Sequence, residues 1–428
     1  MRTLIAGLWF LAAAPSVAQE FTTLKGHGGP VMGLASLPGG EVASASFDNS
    51  VGLWQGREPH WLEGHDAAVI ALAPLGEAGL VSGGDDFDVI AWDRYTGKSR
   101  RLEGHKGKIA GLAVSPDGAW IASASWDGAI GLWSVAGGAA RFLDGHDGPV
   151  TDVAFGADGT RLYSTSADGT LRVWDWREAD PVARILLDQG FGINKLVIGP
   201  RETWIAYGAV DGVTRVINPA TGDVIADFTL DRRPILALEH HAATGQIAAG
   251  DGQGYIMVID TKTWTIARDF KAVARGPVWA LAFSGDGQML YAGGLSNVVY
   301  GWPVTMLDTF DPAGETEHSF LRPPEEMENG ERQFMRKCSI CHALTPPPSR
   351  KAGPSLHGLF GRQAGSVPGY PYSPVLANSD IVWTDETIDV LFDLGPDHYI
   401  PGSKMPMQRI TAAQDREDLV TYLRRATK

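Results

Sequence analysis

Gly-His recurs at His27, His65, His105 and His146, at spacings of 38, 40 and 41 residues, and a Trp follows each, at Trp54, Trp92, Trp133 and Trp174. A fixed period of this length narrows the fold more than any other feature of the chain. Each unit must be one supersecondary piece that buries its apolar face against its neighbours. Inside the units run short alternating apolar segments and Asp-Gly turns, as in "AVSPDGAWIASASWDGAIGLW", which read as strands. The finer spacing is also fixed: a Ser stands four residues before an Asp, and that Asp six before the Trp. The sets are Ser44, Asp48, Trp54; Ser82, Asp86, Trp92; Ser123, Asp127, Trp133; and Ser164, Asp168, Trp174. His, Ser and Asp also make hydrolase triads. Four identical sets argue against that use, because one enzyme rarely needs four nucleophiles.

This pattern resembles the WD40 repeat, in which each unit is one four-stranded blade of a propeller. The resemblance implies that His, Ser, Asp and Trp form a buried hydrogen-bonded network within each blade, where every buried polar group needs a partner. Weaker units continue the period, with strand-ending residues at Ile217, Ile259 and Trp302. They lack Gly-His; Gln253 and Ser296 stand at the Asp position, and only Asp211 persists. The expectation is a seven-bladed all-β propeller over residues 19–304, four blades well formed and three degenerate. "EFTTLKG", ahead of the first Gly-His, is expected to supply the outer strand of the last blade and close the ring.

Met1-Arg2, an apolar run from Leu4 to Ala14 and a small-x-small end at Ala18 read as a secretory signal over residues 1–18. The run is too short to cross a bilayer as a helix, and no other stretch is longer, so no membrane span is expected. The mature chain is therefore expected in the periplasm. Net charge is −14. From Pro323 onward 12 Lys/Arg face 13 Asp/Glu, so nearly all the excess acid lies ahead of that point. An acidic body argues against nucleic acid and anionic lipid as partners.

The only two cysteines sit in "CSICH", residues 338–342. Taken alone, that motif allows a redox dithiol, half of a zinc site, or covalent haem attachment. Before it lies a proline-rich, acidic stretch read as a linker, residues 305–325. Residues 326–428 then carry a series of spaced motifs: "CSICH", "AGPSLHGLFGR", "YSPVLANSDIVW", "YIPGSKM" and "REDLVTYLRRAT".

That series resembles class I (mitochondrial-type) cytochrome c, an all-α domain, and makes the chain multidomain. The resemblance implies one haem c, bound covalently by Cys338 and Cys341. His342 and Met405 would be its axial ligands and the only metal ligands. The carbonyl of Pro354 would orient His342, and Arg362, Tyr372 and Trp383 would serve the haem propionates. Met407 falls where the family has an aromatic covering the haem edge. Gly330 and Phe334 would mark an N-terminal helix crossing the C-terminal one near Tyr422. Two departures stand out. Leu376 and Leu391 (or Phe392) replace polar residues near the Met ligand, where only Ser403 stays polar. Of the lysines by which the family docks partners, Lys337 and Lys404 remain, while Asp397 and His398 replace two others.

The expected function is transfer of single electrons by a His/Met-ligated haem, with no catalytic residues, and with the propeller as the platform on which redox partner proteins dock. Two other readings stay open: a haem enzyme whose propeller carries a second catalytic cofactor, as in nitrite reductases, and a redox sensor. For a second cofactor the unassigned histidines are His60, His240, His241, His318 and His398.

Overall fold

The structure, a computed structural model, describes residues 21–230, 234–273, 275–307 and 326–428. The expected signal segment 1–18, His318 and most of the expected linker 305–325 lie outside the described residues.

Seven four-stranded antiparallel sheets follow one another around the propeller. Six use four consecutive strands. The seventh uses Val278–Phe283, Met289–Gly294 and Val298–Pro303, and is completed by Thr22–Lys25 pairing with Val298–Pro303. The N-terminal strand therefore closes the ring as its position in the sequence suggests, and no end blade is left with an open edge. Asn297 adds a link there, its side-chain amide donating to the carbonyl of His27 at 2.8 Å.

Burial explains the strand pattern. The innermost strand of the first blade, Val31–Ser36, alternates between buried and half-buried residues. The next strand, Val42–Ser46, is buried throughout because it lies between neighbouring sheets. Every innermost strand carries a register shift near its start, as between Val31 and Gly33. Such an irregularity bends and twists the strand where the blades converge. Glycines set the spacing between blades: a Cβ at Gly83 would press on Ile109, and one at Gly293 on Val31.

Each of the four well-formed blades holds the same hydrogen-bonded chain. In the third, Trp133 Nε1 donates to Ser123 Oγ at 2.8 Å, and His105 joins Ser123 through Nε2 at 2.8 Å and Asp127 through Nδ1 at 2.8 Å. The first, second and fourth blades repeat it within about a tenth of an ångström. Burial pushes the Asp127 carboxyl up. The bonds it accepts from Lys106, Ala129 and His105 outweigh that and hold it below the ordinary Asp range.

The degenerate blades differ from one another. In the fifth, Asp211 accepts from the backbone N–H of Val213 and the side chain of Gln189. In the sixth, where Gln253 occupies the Asp position, Asp251 supplies a buried carboxylate from two residues earlier. It accepts from the N–H groups of Gln253 at 2.8 Å and Tyr255 at 2.9 Å. Sequence spacing alone does not reveal this substitution.

The C-terminal part is helical: α1 (Asn329–Lys337), α2 (Pro374–Ala377), α3 (Asp385–Leu394), α4 (Pro396–Tyr399) and α5 (Ala413–Ala426). α3 begins with a capping box, Thr384 and Thr387 each bonding the other's backbone N–H. α1 crosses α5 where Gly330 lies against the backbone of Asp418, with no room for a side chain, and Phe334 meets Tyr422 at 5.6 Å between ring centres. Phe334, Leu391, Leu419 and Leu423 anchor the core these helices share.

Candidate functional site

A cavity of about 600 Å³ opens in the helical domain, lined in part by Cys338, Cys341 and His342 of the CSICH motif. The backbone explains how. α1 ends at Lys337, but the chain keeps winding: Cys338 N–H bonds the carbonyl of Phe334 at 2.8 Å, and His342 N–H bonds that of Cys338 at 2.8 Å. This tight turn brings Cys338, Cys341 and His342 to the same cavity. Both thiols are free of any disulfide, and burial pushes the Cys338 thiol up to about 12.

His342 Nδ1 donates to the carbonyl of Pro354 at 2.8 Å, which leaves Nε2 as the ring's electron-pair donor. Burial lowers the imidazole below the ordinary His range, against the opposing pull of that carbonyl, so the ring stays neutral and able to ligate. Gly353 lies flat against the ring, and a Cβ there would strike it.

Met405 lines the same cavity. Met407 does not line it; its side chain is 45% exposed and rests over Gly395. Leu376, Leu391, Phe392 and Ile400 line the cavity too and belong to the apolar cluster that Met405 packs against, so the apolar character expected from the replaced polar positions is present there.

Arg362, Tyr372 and Trp383 also line the cavity, as does Pro354. The Arg362 guanidinium donates to the carbonyls of His357 at 2.6 Å and Ser355 at 2.8 Å. Trp383 is positioned by backbone pairing with Gly361 and Arg362 at 2.9 Å each. The Tyr372 hydroxyl accepts from the N–H of Val367 at 3.3 Å. Sequence reading missed Tyr370, which lines the cavity beside Tyr372, donates to the carbonyl of Ala352 at 2.6 Å, and is pushed up to about 12 by burial. The tyrosine pair in "GYPYSP" was the available signal.

Among the described residues, four polar atoms from cavity-lining residues are shut off from solvent without a protein partner: Asn49 Oδ1, Ser373 Oγ, Ser403 Oγ and Gln408 Oε1. Buried polar atoms without partners are costly, and a bound group that offers hydrogen bonds removes that cost. Apolar walls, a neutral imidazole, a thioether, two thiols and a polar flank together suit a haem attached through sulfur.

The histidines left over for a second cofactor are scattered. His240 packs edge-on against Trp204, His241 bonds Thr244, and His60 and His398 are exposed. Where the innermost strands converge, Asp152 lies 3.8 Å from Lys195, and Glu239 is pushed up to about 8 by burial and by the charge of Asp152.

Family comparison divides the chain in the same way. The WD domain, G-beta repeat, matches residues 18–55, 97–134, 138–175 and 268–302. The second blade is not among these matches although its network is complete, whereas the seventh is matched without one. Cytochrome c matches residues 327–427. Cytochrome c of Sesamum indicum is 43% identical over 106 residues, which is 24% of this chain and 94% of the relative. Cytochrome c of Ginkgo biloba is 41% identical over 105 residues, 24% of this chain and 92% of the relative. Cytochrome c type-1 of Ascaris suum is 40% identical over 108 residues, 25% of this chain and 93% of the relative. The chain is a seven-bladed propeller of WD40 repeats followed by a domain that belongs to the cytochrome c family.

Proposed function

We propose that this protein is a periplasmic one-electron carrier rather than an enzyme. In this reading a single haem is bound covalently through Cys338 and Cys341, with His342 and Met405 as axial ligands. The observation that carries it is the convergence of these four side chains on one cavity, with His342 Nε2 left available by the Nδ1 bond to Pro354. The haem would supply a reversible ferric/ferrous couple, and His/Met ligation favours electron transfer over oxygen or peroxide chemistry.

The protein's own residues have distinct tasks. Pro354 fixes the tautomer and the angle of His342, and Gly353 leaves the ring the space it needs. Leu376, Leu391 and Phe392 keep water from the Met405 side. Arg362, Tyr372 and Trp383, with Tyr370 beside them, would receive the haem carboxylates and screen their charge. The signal-like segment at residues 1–18 supports the periplasm. The propeller would bring redox partners to the haem domain, a role that suits a wide ring of loops and here rests on analogy of fold.

Intact mass and a pyridine haemochrome assay on the purified protein test this reading. One haem that survives denaturation, and is lost in Cys338→Ser with Cys341→Ser, supports the carrier. A second chromophore bound to the propeller would replace it with the enzyme reading.

A further inference from the structure

The cavity that holds the cysteines, His342 and Met405 is not walled by the cytochrome domain alone. Phe47, Asn49, Asp66, Phe87, Lys108 and Trp126 of the propeller line it too. All six come from loops at one end of the first three blades. Phe47, Asn49, Phe87 and Trp126 lie between second and third strands, and Asp66 and Lys108 lie between one blade and the next. Trp126 is 50% exposed and carries the Lys108 ammonium 3.5 Å from its ring centre. This side chain therefore faces the cavity and the solvent at once.

Contacts at the edge hold the two domains together. Lys404, next to Met405, pairs with Asp66 at 2.7 Å. Arg350 pairs with Glu63 at 2.9 Å and stacks on Trp61 at 4.0 Å. At Gly28, in the first Gly-His loop, any side chain would land on the backbone carbonyl of Arg350. That backbone-on-backbone approach is closer than loose surface contacts allow.

We infer that the propeller completes the haem pocket: the loops of its first three blades are the docking surface for this chain's own cytochrome domain and cover the mouth of the crevice. This deepens the carrier reading and rests on it for the identity of the bound group. Lys404, one of two lysines left on the cytochrome rim, is engaged inside the molecule, and the other, Lys337, faces the shared cavity. A redox partner therefore meets the propeller before it meets the haem.

The test uses the full-length holoprotein with Glu63→Lys and Asp66→Lys, two exposed acids whose side chains are not members of the His–Ser–Asp–Trp sets, although Asp66 also lies 3.6 Å from Arg101. Small-angle scattering in low salt reads whether the domains stay together, and reduction by a neutral hydroquinone reads access to the haem edge without a charge bias. The expected result is a larger radius of gyration and several-fold faster reduction. Adding Arg350→Glu and Lys404→Glu should restore both in large part, because the ion pairs reform with reversed sign while only the stacking of Arg350 on Trp61 is lost. Unchanged scattering and unchanged reduction in the acid-to-lysine variant overturn the inference, as does failure of the reversed pairs to restore either. Intact mass of each variant reports covalent haem separately. A protein that lacks haem but still responds in scattering refutes the carrier reading and leaves the docking surface standing.

Discussion

Removal of Asp127 tests the reading of the blade networks most directly. The bonds in the third blade run one way. The indole of Trp133 can only donate, so Ser123 accepts from it; the Ser123 hydroxyl is then free to donate to His105 Nε2; and His105 Nδ1–H ends on Asp127. Asp127 also accepts from the N–H groups of Lys106 at 2.8 Å and Ala129 at 3.0 Å. Asp127→Ala removes three acceptor contacts. Lys106 N–H is exposed and turns to water, but His105 is buried. The escape is a flipped tautomer, with Ser123 turning its hydroxyl to the carbonyl of Gly131, a contact of only 3.4 Å. A lost bond is worth about 1 kcal/mol and a stranded buried donor about 1–3, giving about 2–4 kcal/mol in all. Ser296, at the matching place in the seventh blade, makes one 3.4 Å bond to Val298, so Ser296→Ala should cost about 0.5 kcal/mol. Scanning calorimetry of the intact protein reads both in the propeller transition. At about 2–4 °C per kcal/mol, Asp127→Ala should lower it by roughly 5–15 °C and Ser296→Ala by about 1–2 °C. Asp127→Asn keeps an acceptor for His105 and should fall between them. Equal shifts for Asp127→Ala and Ser296→Ala would refute the directional chain.

Met405→Ala should abolish the weak ferric charge-transfer band of Met-ligated haem while Met407→Leu retains it; the reverse result reassigns the ligand. Gly353→Val should displace the His342 ring and give a protein whose haem, though still covalent by mass, has an altered axial-ligand spectrum; a wild-type spectrum contradicts the contact. Burial lowers His105 and His146 below the ordinary His value, and Asp48, Asp86, Asp127 and Asp168 also lie below theirs, Asp168 at about 2. At these groups the unfolded chain binds more protons, whereas the raised Glu239 opposes the histidines between about pH 8 and 4.5, so the uncompensated fall in propeller stability should come as pH drops below about 3.8. A urea midpoint that holds or rises between pH 4 and pH 2.5 contradicts this.

Local chemistry was legible in the sequence wherever one geometry demanded several residue types at fixed spacing. The four His–Ser–Asp–Trp sets are of this kind, and so is CSICH with Pro354 and Met405. The strand that closes the ring was also legible, because "EFTTLKG" has strand character and no neighbours of its own to pair with. Asp251 was not, because a carboxylate can reach the same kind of turn from two residues away and the spacing rule then points to Gln253. Contacts between blades were equally hidden. Arg94 reaches across to Glu41 at 2.5 Å and to the carbonyl of Pro38 at 3.0 Å, and Arg177 reaches Asp117 at 3.3 Å, each over more than fifty residues.

The surface between the domains was hidden for another physical reason: it does not have to be strong. Surface ion pairs such as Lys404–Asp66 and Arg350–Glu63 contribute about 0–1 kcal/mol each, and an exposed cation–π contact such as Arg350 on Trp61 about 0.5–1 kcal/mol. Separate proteins joined by so little would drift apart. In one chain the local concentration of each domain at the other is on the order of millimolar, where association worth about 4 kcal/mol is half complete. The two ion pairs and the cation–π contact come to about 0.5–3 kcal/mol, and the apolar contacts at Phe47, Phe87 and Trp126 add to them. A cap balanced in this way can stay closed over the haem and still open when salt screens its ion pairs or a partner binds the propeller loops better in the open state.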